Sequence, residues 1–178
     1  MSSLFILGGA RSGKTAYALG RADLLSEAQD LQKIYVATAE SRDAEMFARI
    51  ERHKLERQGN YWETIEAPFE LPAIITMNAA PDCVLLIDCL TLWLTNLMLT
   101  ERDLSAAKAN LITAIVEAKG PVILVSNEVG LGIVPENALA RKFRDEAGFV
   151  NQAVAKATNE VVFIAAGCPL IMKPSTPS

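Results

Sequence analysis

The chain has 178 residues, 51% of them hydrophobic and 21% charged, which is enough for one globular domain with a sizeable core. Its formal net charge of -4 argues against a protein that binds nucleic acid through a broad cationic surface. The three cysteines, Cys83, Cys89 and Cys168, are odd in number and lack C-x-x-C spacing, so we expect buried, reduced thiols in a cytoplasmic protein rather than disulfides or a zinc site.

The first predicted strand, residues 4–7, leads directly into a glycine-rich loop. Residues 8–15 (GGARSGKT) fit the pattern G-x-x-x-x-G-K-[ST], and a predicted helix follows over 16–28. This order is typical of a phosphate-binding P-loop, in which backbone N–H groups and a helix N-terminus surround an anion. Lys14 can then reach β- and γ-phosphate oxygens, and the Thr15 hydroxyl can bind Mg²⁺. The alternative is a glycine-rich turn before an ordinary helix. Because the loop begins at residue 8, we expect no signal peptide.

The next stretch predicts a strand over 33–37 and a helix over 43–57. Thr38 and Ala39 follow the strand, at the edge where open α/β sheets bind ligands. On the helix, Arg49, His53 and Arg57 are spaced four residues apart and share one face, and Lys54 adds a further positive charge. The sequence therefore places its single histidine in a cationic setting.

His53 has two possible roles. It can be a solvated histidine on a helix face rich in Arg and Lys. It can also be a nucleophile, because neighbouring cations disfavour protonation of the imidazole and attract polyphosphate. A neutral histidine in that setting can attack phosphorus and form a phosphoramidate.

A second metal-binding element is predicted at residues 83–88. A short strand over 61–65 comes first, followed by Glu66 and a helix over 69–79. Residues 83–87 are then continuously apolar and end in Asp88, which is the form of a Walker B strand. The carboxylate of Asp88 can hold Mg²⁺ beside the P-loop, or it can be an incidental acid at a strand end. Polar residues interrupt the apolar region 83–99, so we expect no membrane insertion.

The remaining chain continues the alternation of helices and strands. Helices are predicted over 90–99, 104–119 and 138–158, and strands over 121–125, 160–166 and 170–172. The loop 129–137 follows a strand and is a candidate for shaping a ligand site. The sequence thus predicts an α/β, three-layer P-loop NTPase domain with a mostly parallel central sheet over 1–173, and a disordered tail over 174–178.

Several separated motifs resemble one family, the bifunctional adenosylcobinamide kinase / adenosylcobinamide-phosphate guanylyltransferase of adenosylcobalamin biosynthesis. The resemblance spans about residues 4–173. Its most specific parts are the histidine helix and the loop after the strand 121–125. The matching segments are 8–15, 35–38 (YVAT), 48–54 (ARIERHK) with Arg57, 62–66 (WETIE), 126–137 (SNEVGLGIVPEN) and 140–145 (ARKFRD) with Gly148 and 150–152.

The resemblance implies two reactions. Adenosylcobinamide is phosphorylated on its aminopropanol hydroxyl with ATP or GTP, and GMP is then transferred from GTP to adenosylcobinamide phosphate, releasing pyrophosphate. It also implies Mg²⁺, a homotrimer and His53 as the residue that carries GMP, with Lys14 as the second catalytic residue. The nucleotide-binding positions that it implies are Gly8, Gly9, Ala10, Arg11, Ser12, Gly13, Lys14, Thr15, Ala37, Thr38, Ala39, Lys54, Leu55, Glu56, Arg57, Glu66 and Asp88.

Two other functions fit the same sequence. One is a monofunctional P-loop kinase for another small hydroxylated metabolite, which forms no covalent nucleotide. The other is a non-catalytic nucleotide-binding module. Some relatives carry glutamate where this chain has Asp88, which leaves direct and water-mediated metal contact both open.

Overall fold

The computed structural model describes residues 2–40 and 61–174. The predicted helix over 43–57, with His53, lies outside the described residues. The strands are β1 (Ser3–Gly8), β2 (Gln32–Ala37), β3 (Trp62–Glu66), β4 (Cys83–Asp88), β5 (Val122–Asn127), β6 (Glu160–Ala165) and β7 (Cys168–Lys173), and the helices are α1 (Lys14–Gln29), α2 (Leu71–Asn78), α3 (Leu90–Leu99), α4 (Leu104–Glu117) and α5 (Ala138–Ala157).

The described strands form one sheet in the order β3-β2-β4-β5-β1-β6-β7. Every neighbouring pair is parallel except β6 and β7, which are antiparallel. The predicted mostly parallel α/β fold is therefore confirmed. Because β1, β4 and β5 are buried on both faces, their sequences are continuously apolar instead of alternating.

Successive side chains of the central strands enter two cores, one on each face of the sheet. On β1, Leu4 and Ile6 pack with α1, whereas Phe5 and Leu7 belong to the core that α2, α3, α4 and α5 cover. The described part of the chain is thus a three-layer sandwich with α1 on one side of the sheet. None of its helices combines the length and the apolarity that crossing a bilayer requires.

Two details differ from the sequence-based expectations. The first helix begins at Lys14, two residues earlier than predicted, because Gly13 takes a left-handed backbone conformation (φ 98°) that turns the loop directly into the helix. The expectation that all three cysteines are buried is wrong for Cys168, because β7 is an edge strand whose residues are largely exposed. All three thiols are unpaired.

Candidate nucleotide-binding site

The P-loop connects β1 to α1 at the carboxyl edge of the sheet, as the sequence predicted. Gly8 must be a glycine, because an added Cβ would lie 2.4 Å from the carbonyl oxygen of Ile164 on the neighbouring strand β6. The turn between β6 and β7 closes over the loop, since the N–H of Gly167 donates to the Ser12 carbonyl at 2.9 Å. The loop backbone is therefore held against β6 before any ligand binds.

The lysine side chain of the motif folds back onto the backbone of the loop. Lys14 is only 7% exposed, and its Nζ donates to the carbonyl oxygen of Gly9 at 2.5 Å. Lys14 is also the first residue of α1, so the positive end of the helix dipole and the ammonium group lie together. A phosphate entering the loop meets both of these charges, which is the electrostatic arrangement that binds a polyphosphate.

A hydroxyl and a carboxylate form the second half of the site. Thr15 Oγ1 donates to Asp88 Oδ2 at 2.9 Å. Strand β5 lies between β1, which leads into the P-loop, and β4, which ends at Asp88. The same carboxylate oxygen accepts a hydrogen bond of 3.1 Å from the hydroxyl of Tyr35, in the middle of β2. One carboxylate and one hydroxyl are oxygen ligands of the type that Mg²⁺ uses together with substrate phosphates. The donor set therefore fits Mg²⁺, which Thr15 and Asp88 would hold.

Two further predicted residues, Ala37 and Glu66, lie along the same edge of the sheet. In the strand register, Ala37 on β2 is flanked by Glu66 on β3 and by Asp88 on β4. Glu66, however, lies four strand positions from β1, which is about 19 Å at ~4.8 Å per strand. The structure thus brings Ala37 beside Asp88 and places Glu66 at the far end of the edge.

Thr38 contributes to this edge mainly as a structural residue. It is fully buried, its Oγ1 donates to the Cys89 carbonyl at 2.7 Å and accepts from the Cys89 N–H at 2.8 Å. Its own carbonyl accepts from Asn96 Nδ2 at 2.8 Å. These bonds join the end of β2 to α3, and the buried Thr38 hydroxyl has no proton left to donate to a ligand. Ala39 follows it without a side-chain polar group.

The remaining predicted site residues cannot be compared with the geometry. His53, Lys54, Leu55, Glu56 and Arg57 lie outside the described residues. Their proposed roles stay predictions.

Sequence reasoning missed the role of Tyr35. A tyrosine inside an apolar strand is predicted as a core residue, and Tyr35 is indeed only 3% exposed. Only the strand order shows that β2 adjoins β4, with Ala37 opposite Asp88. The sequence did contain one indication, a tyrosine two residues before the end of β2. If such a tyrosine is buried, its hydroxyl needs a hydrogen-bond partner.

The two arginines near the loop 129–137 stabilise its backbone. Arg141 donates to the carbonyls of Pro135 and Glu136, at 3.0 and 2.5 Å, and Arg144 donates to the carbonyl of Gly130 at 2.6 Å. The loop was predicted to shape a ligand site, and its placement at the carboxyl end of β5, next to the P-loop, agrees with that prediction.

The glycine-rich loop, its buried lysine and the Thr15–Asp88 pair at one sheet edge define a P-loop nucleotide-binding domain. Residues 4–172 match the model of a family described as "Cobinamide kinase / cobinamide phosphate guanyltransferase", and the chain belongs to that family.

Named relatives match nearly the whole chain. The Pseudomonas aeruginosa "Bifunctional adenosylcobalamin biosynthesis protein CobP" is 43% identical, with 94% of this chain and 95% of the relative covered. The proteins named "Bifunctional adenosylcobalamin biosynthesis protein CobU" from Salmonella typhimurium and Escherichia coli are 40% and 38% identical, and each comparison covers 96% of this chain and 99% of the relative.

Proposed function

We propose that the protein is a bifunctional adenosylcobinamide kinase and adenosylcobinamide-phosphate guanylyltransferase. The observation that carries the proposal is the P-loop with Lys14 against its backbone and Thr15 bonded to Asp88, in a chain that belongs to this family. The kinase step transfers the γ-phosphoryl group of ATP or GTP to the hydroxyl of adenosylcobinamide. The second step transfers GMP from GTP to the resulting phosphate and releases pyrophosphate.

The described residues support both steps by holding a triphosphate. Gly8 leaves room for the loop backbone to curve, and the N–H groups at the start of α1 would donate to a bound anion. Lys14 can exchange its bond to the Gly9 carbonyl for bonds to phosphate oxygens, which carry more negative charge. Thr15 and Asp88 would hold Mg²⁺, and the ion when bound would neutralise charge on the phosphate oxygens.

His53 is proposed as the nucleophile of the second reaction. Its Nε2 or Nδ1 attacks the α-phosphorus of GTP, the bond from that phosphorus to the α,β-bridging oxygen breaks, and pyrophosphate leaves. Arg49, Lys54 and Arg57 lie one turn or less from His53 along a predicted helix, and their charges favour a neutral imidazole. The phosphate of adenosylcobinamide phosphate then attacks the same phosphorus and frees the histidine.

Incubation with GTP labelled in the α-phosphate, with Mg²⁺, tests the histidine. Label is expected to remain on the denatured protein, to be lost in acid, and to be absent from His53→Ala. That variant is expected to retain phosphorylation of adenosylcobinamide, because the P-loop is untouched. Label retained in His53→Ala would refute the nucleophile, and absence of label from the parent would favour a monofunctional kinase.

The P-loop is tested with Lys14→Ala and a matched lysine control. Lys119 is exposed and precedes β5 at the opposite, amino edge of the sheet. Lys14→Ala is expected to lower both reaction rates by about 10²-fold or more, the cost of losing one preorganised charge donor, while Lys119→Ala keeps both. Equal rates in the two variants would remove Lys14 from the mechanism. Binding of nucleotide with no turnover of cobinamide by the parent would instead favour a binding module.

We also propose that the enzyme is a cytoplasmic homotrimer. The edge strand β7 exposes Leu170, Ile171 and Met172 by 64, 61 and 60%, and such an apolar strand is a surface that subunits can cover. The unpaired thiols agree with a reducing compartment. Light scattering after gel filtration should give three times the chain mass, and cell fractionation should place the enzyme in the cytosol. A monomer, or a membrane-fraction enzyme, would contradict the respective proposal.

A further inference from the structure

The residue that follows β5 begins beside the first residue of the P-loop. Strand β5 lies between β4 and β1, and in its register Asn127 is opposite Gly8 whereas Val125 is opposite Asp88. Glu128 is the next residue, and its N–H donates to the Gly8 carbonyl at 3.0 Å. Glu128 thus begins where the phosphate loop begins, one residue beyond the end of the strand.

The backbone leading to Glu128 is fixed from both sides. The N–H of Asn127 donates to Thr91 Oγ1 at 2.7 Å, and its carbonyl accepts from Asn151 Nδ2 at 3.3 Å. Thr91 lies on α3 and Asn151 on α5, and both are buried. Two helices therefore position the peptide that precedes Glu128, which is the kind of support that a reacting group requires.

The following loop is shaped around the Glu128 carboxylate. Its Oε1 accepts from the N–H of Gly130 at 2.5 Å, and the Gly130 carbonyl accepts from Arg144. A Cβ on Gly130 would lie 2.8 Å from that Oε1, so only glycine leaves the carboxylate in its place. Among the described residues, no hydrogen bond is made to the second oxygen, Oε2, which leaves that oxygen to accept a proton. The side chain is half-buried.

The other carboxylates of this edge are less suited to receive a proton. Asp88 already accepts from Thr15 and Tyr35 and belongs to the metal site. Glu66 lies on β3, about 19 Å from β1 at ~4.8 Å per strand. Glu128 combines proximity to the P-loop with an oxygen that accepts no hydrogen bond from the described residues.

We propose that Glu128 is the general base of the kinase step, an inference that rests on the proposed function. The acceptor hydroxyl of cobinamide gives its proton to Glu128 Oε2 as its oxygen forms a bond to the γ-phosphorus. The bond between that phosphorus and the β,γ-bridging oxygen breaks, and the nucleoside diphosphate leaves with that electron pair. The Gly130 N–H keeps the carboxylate aimed at the acceptor throughout.

Glu128→Gln tests the proposal, because the amide oxygen can still accept from Gly130 while the proton acceptor is lost. The expected result is a kcat for cobinamide phosphorylation lowered by about 10²–10⁴-fold, the range for loss of a general base. The nucleotide KM and the covalent labelling with GTP should be unchanged. Glu117→Gln, at an exposed glutamate that ends α4, is the matched control and should equal the parent.

A second variant separates placement of the carboxylate from its chemistry. Gly130→Ala keeps the Glu128 carboxylate but displaces it, so it should lower kcat by less than Glu128→Gln does. Three results would overturn the assignment: a Glu128→Gln kcat equal to that of Glu117→Gln, a loss restored by higher Mg²⁺, which would make Glu128 a metal ligand, or a parallel loss of GTP labelling. A parent that does not phosphorylate cobinamide would overturn the proposed function itself and the assignment with it.

Discussion

Tyr35→Phe tests whether the strand next to β4 supports the metal site. The substitution removes one hydroxyl, which donates to Asp88 Oδ2 at 3.1 Å. The ring stays in place, because its edge-to-face contact with Trp62, at 6.2 Å between centroids, needs no hydroxyl. Asp88 then keeps Thr15 as its remaining hydrogen-bond donor among these three side chains.

Two independent routes give the same magnitude for Tyr35→Phe. A hydrogen bond to a charged acceptor contributes about 1.5–3 kcal/mol. Loss of a residue that orients a metal ligand lowers metal affinity by about 10–100-fold, equal to about 1.4–2.7 kcal/mol. The hydrogen bond is also present without the metal, so its loss destabilises both the metal-free and the metal-bound protein. These two effects partly cancel in the metal affinity. We therefore expect the effect on affinity toward the lower end, about 10-fold.

The assay is the dependence of cobinamide phosphorylation on Mg²⁺ at saturating nucleotide. Tyr35→Phe should raise the half-saturating Mg²⁺ concentration by about 10-fold and recover most of its rate at high Mg²⁺. Tyr61→Phe makes the same chemical change at a side chain that is 95% exposed, and it should match the parent. Identical Mg²⁺ dependence in the two variants would refute the reasoning that Tyr35 orients Asp88.

Three further predictions concern stability and thiol reactivity. Glu160 forms a two-bond ion pair with Arg21, which lowers the pKa of Glu160, so Glu160→Gln should cost about 1–2 kcal/mol in urea unfolding near neutral pH. That difference should vanish as the pH falls through the lowered pKa, where the parent also loses the pair, and a pH-independent difference would contradict it. Burial raises the pKa of the Cys89 thiol to about 11, so mass spectrometry after brief alkylation should find exposed Cys168 modified and Cys89 unmodified, and equal labelling would count against this. Thr91→Ala leaves a β5 N–H without its acceptor and should cost about 1–3 kcal/mol, whereas Thr91→Ser should retain most of the stability; equal losses in both would assign the effect to the methyl group.

The fold was predictable from the sequence because its signals are local. Strand β4 is a continuous apolar run, and Gly13 and Lys14 mark the junction of a loop and a helix. The order of the strands was not predictable, since parallel strands joined by helices can be arranged in several ways. The position of β5 between β1 and β4 depends on long-range packing, in which α1 covers one face of the sheet and the other helices cover the opposite face.

The same distinction between local signals and long-range contacts applies to the site. The P-loop and Asp88 belong to short sequence motifs, so each could be predicted as a site element from its own segment alone. Tyr35 and Thr38 act through partners more than fifty positions away, on β4 and at the start of α3. Thr38 illustrates the consequence, because its place at a strand end predicts a ligand contact but does not show that its hydroxyl bonds the Cys89 backbone.

The strand order also explains why Thr15 and Glu128 can serve one reaction. Because β5 separates β1 from β4, the P-loop strand and the Asp88 strand are about 10 Å apart at ~4.8 Å per strand. Thr15 Oγ1 nevertheless reaches Asp88, so the start of α1 must lie across the end of β5. The residue that leaves β5 at this end, Glu128, begins beside the P-loop, where its N–H donates to the Gly8 carbonyl. An acid there can meet an acceptor hydroxyl without competing for the metal, which is the separation of roles that Glu128→Gln and Tyr35→Phe measure independently.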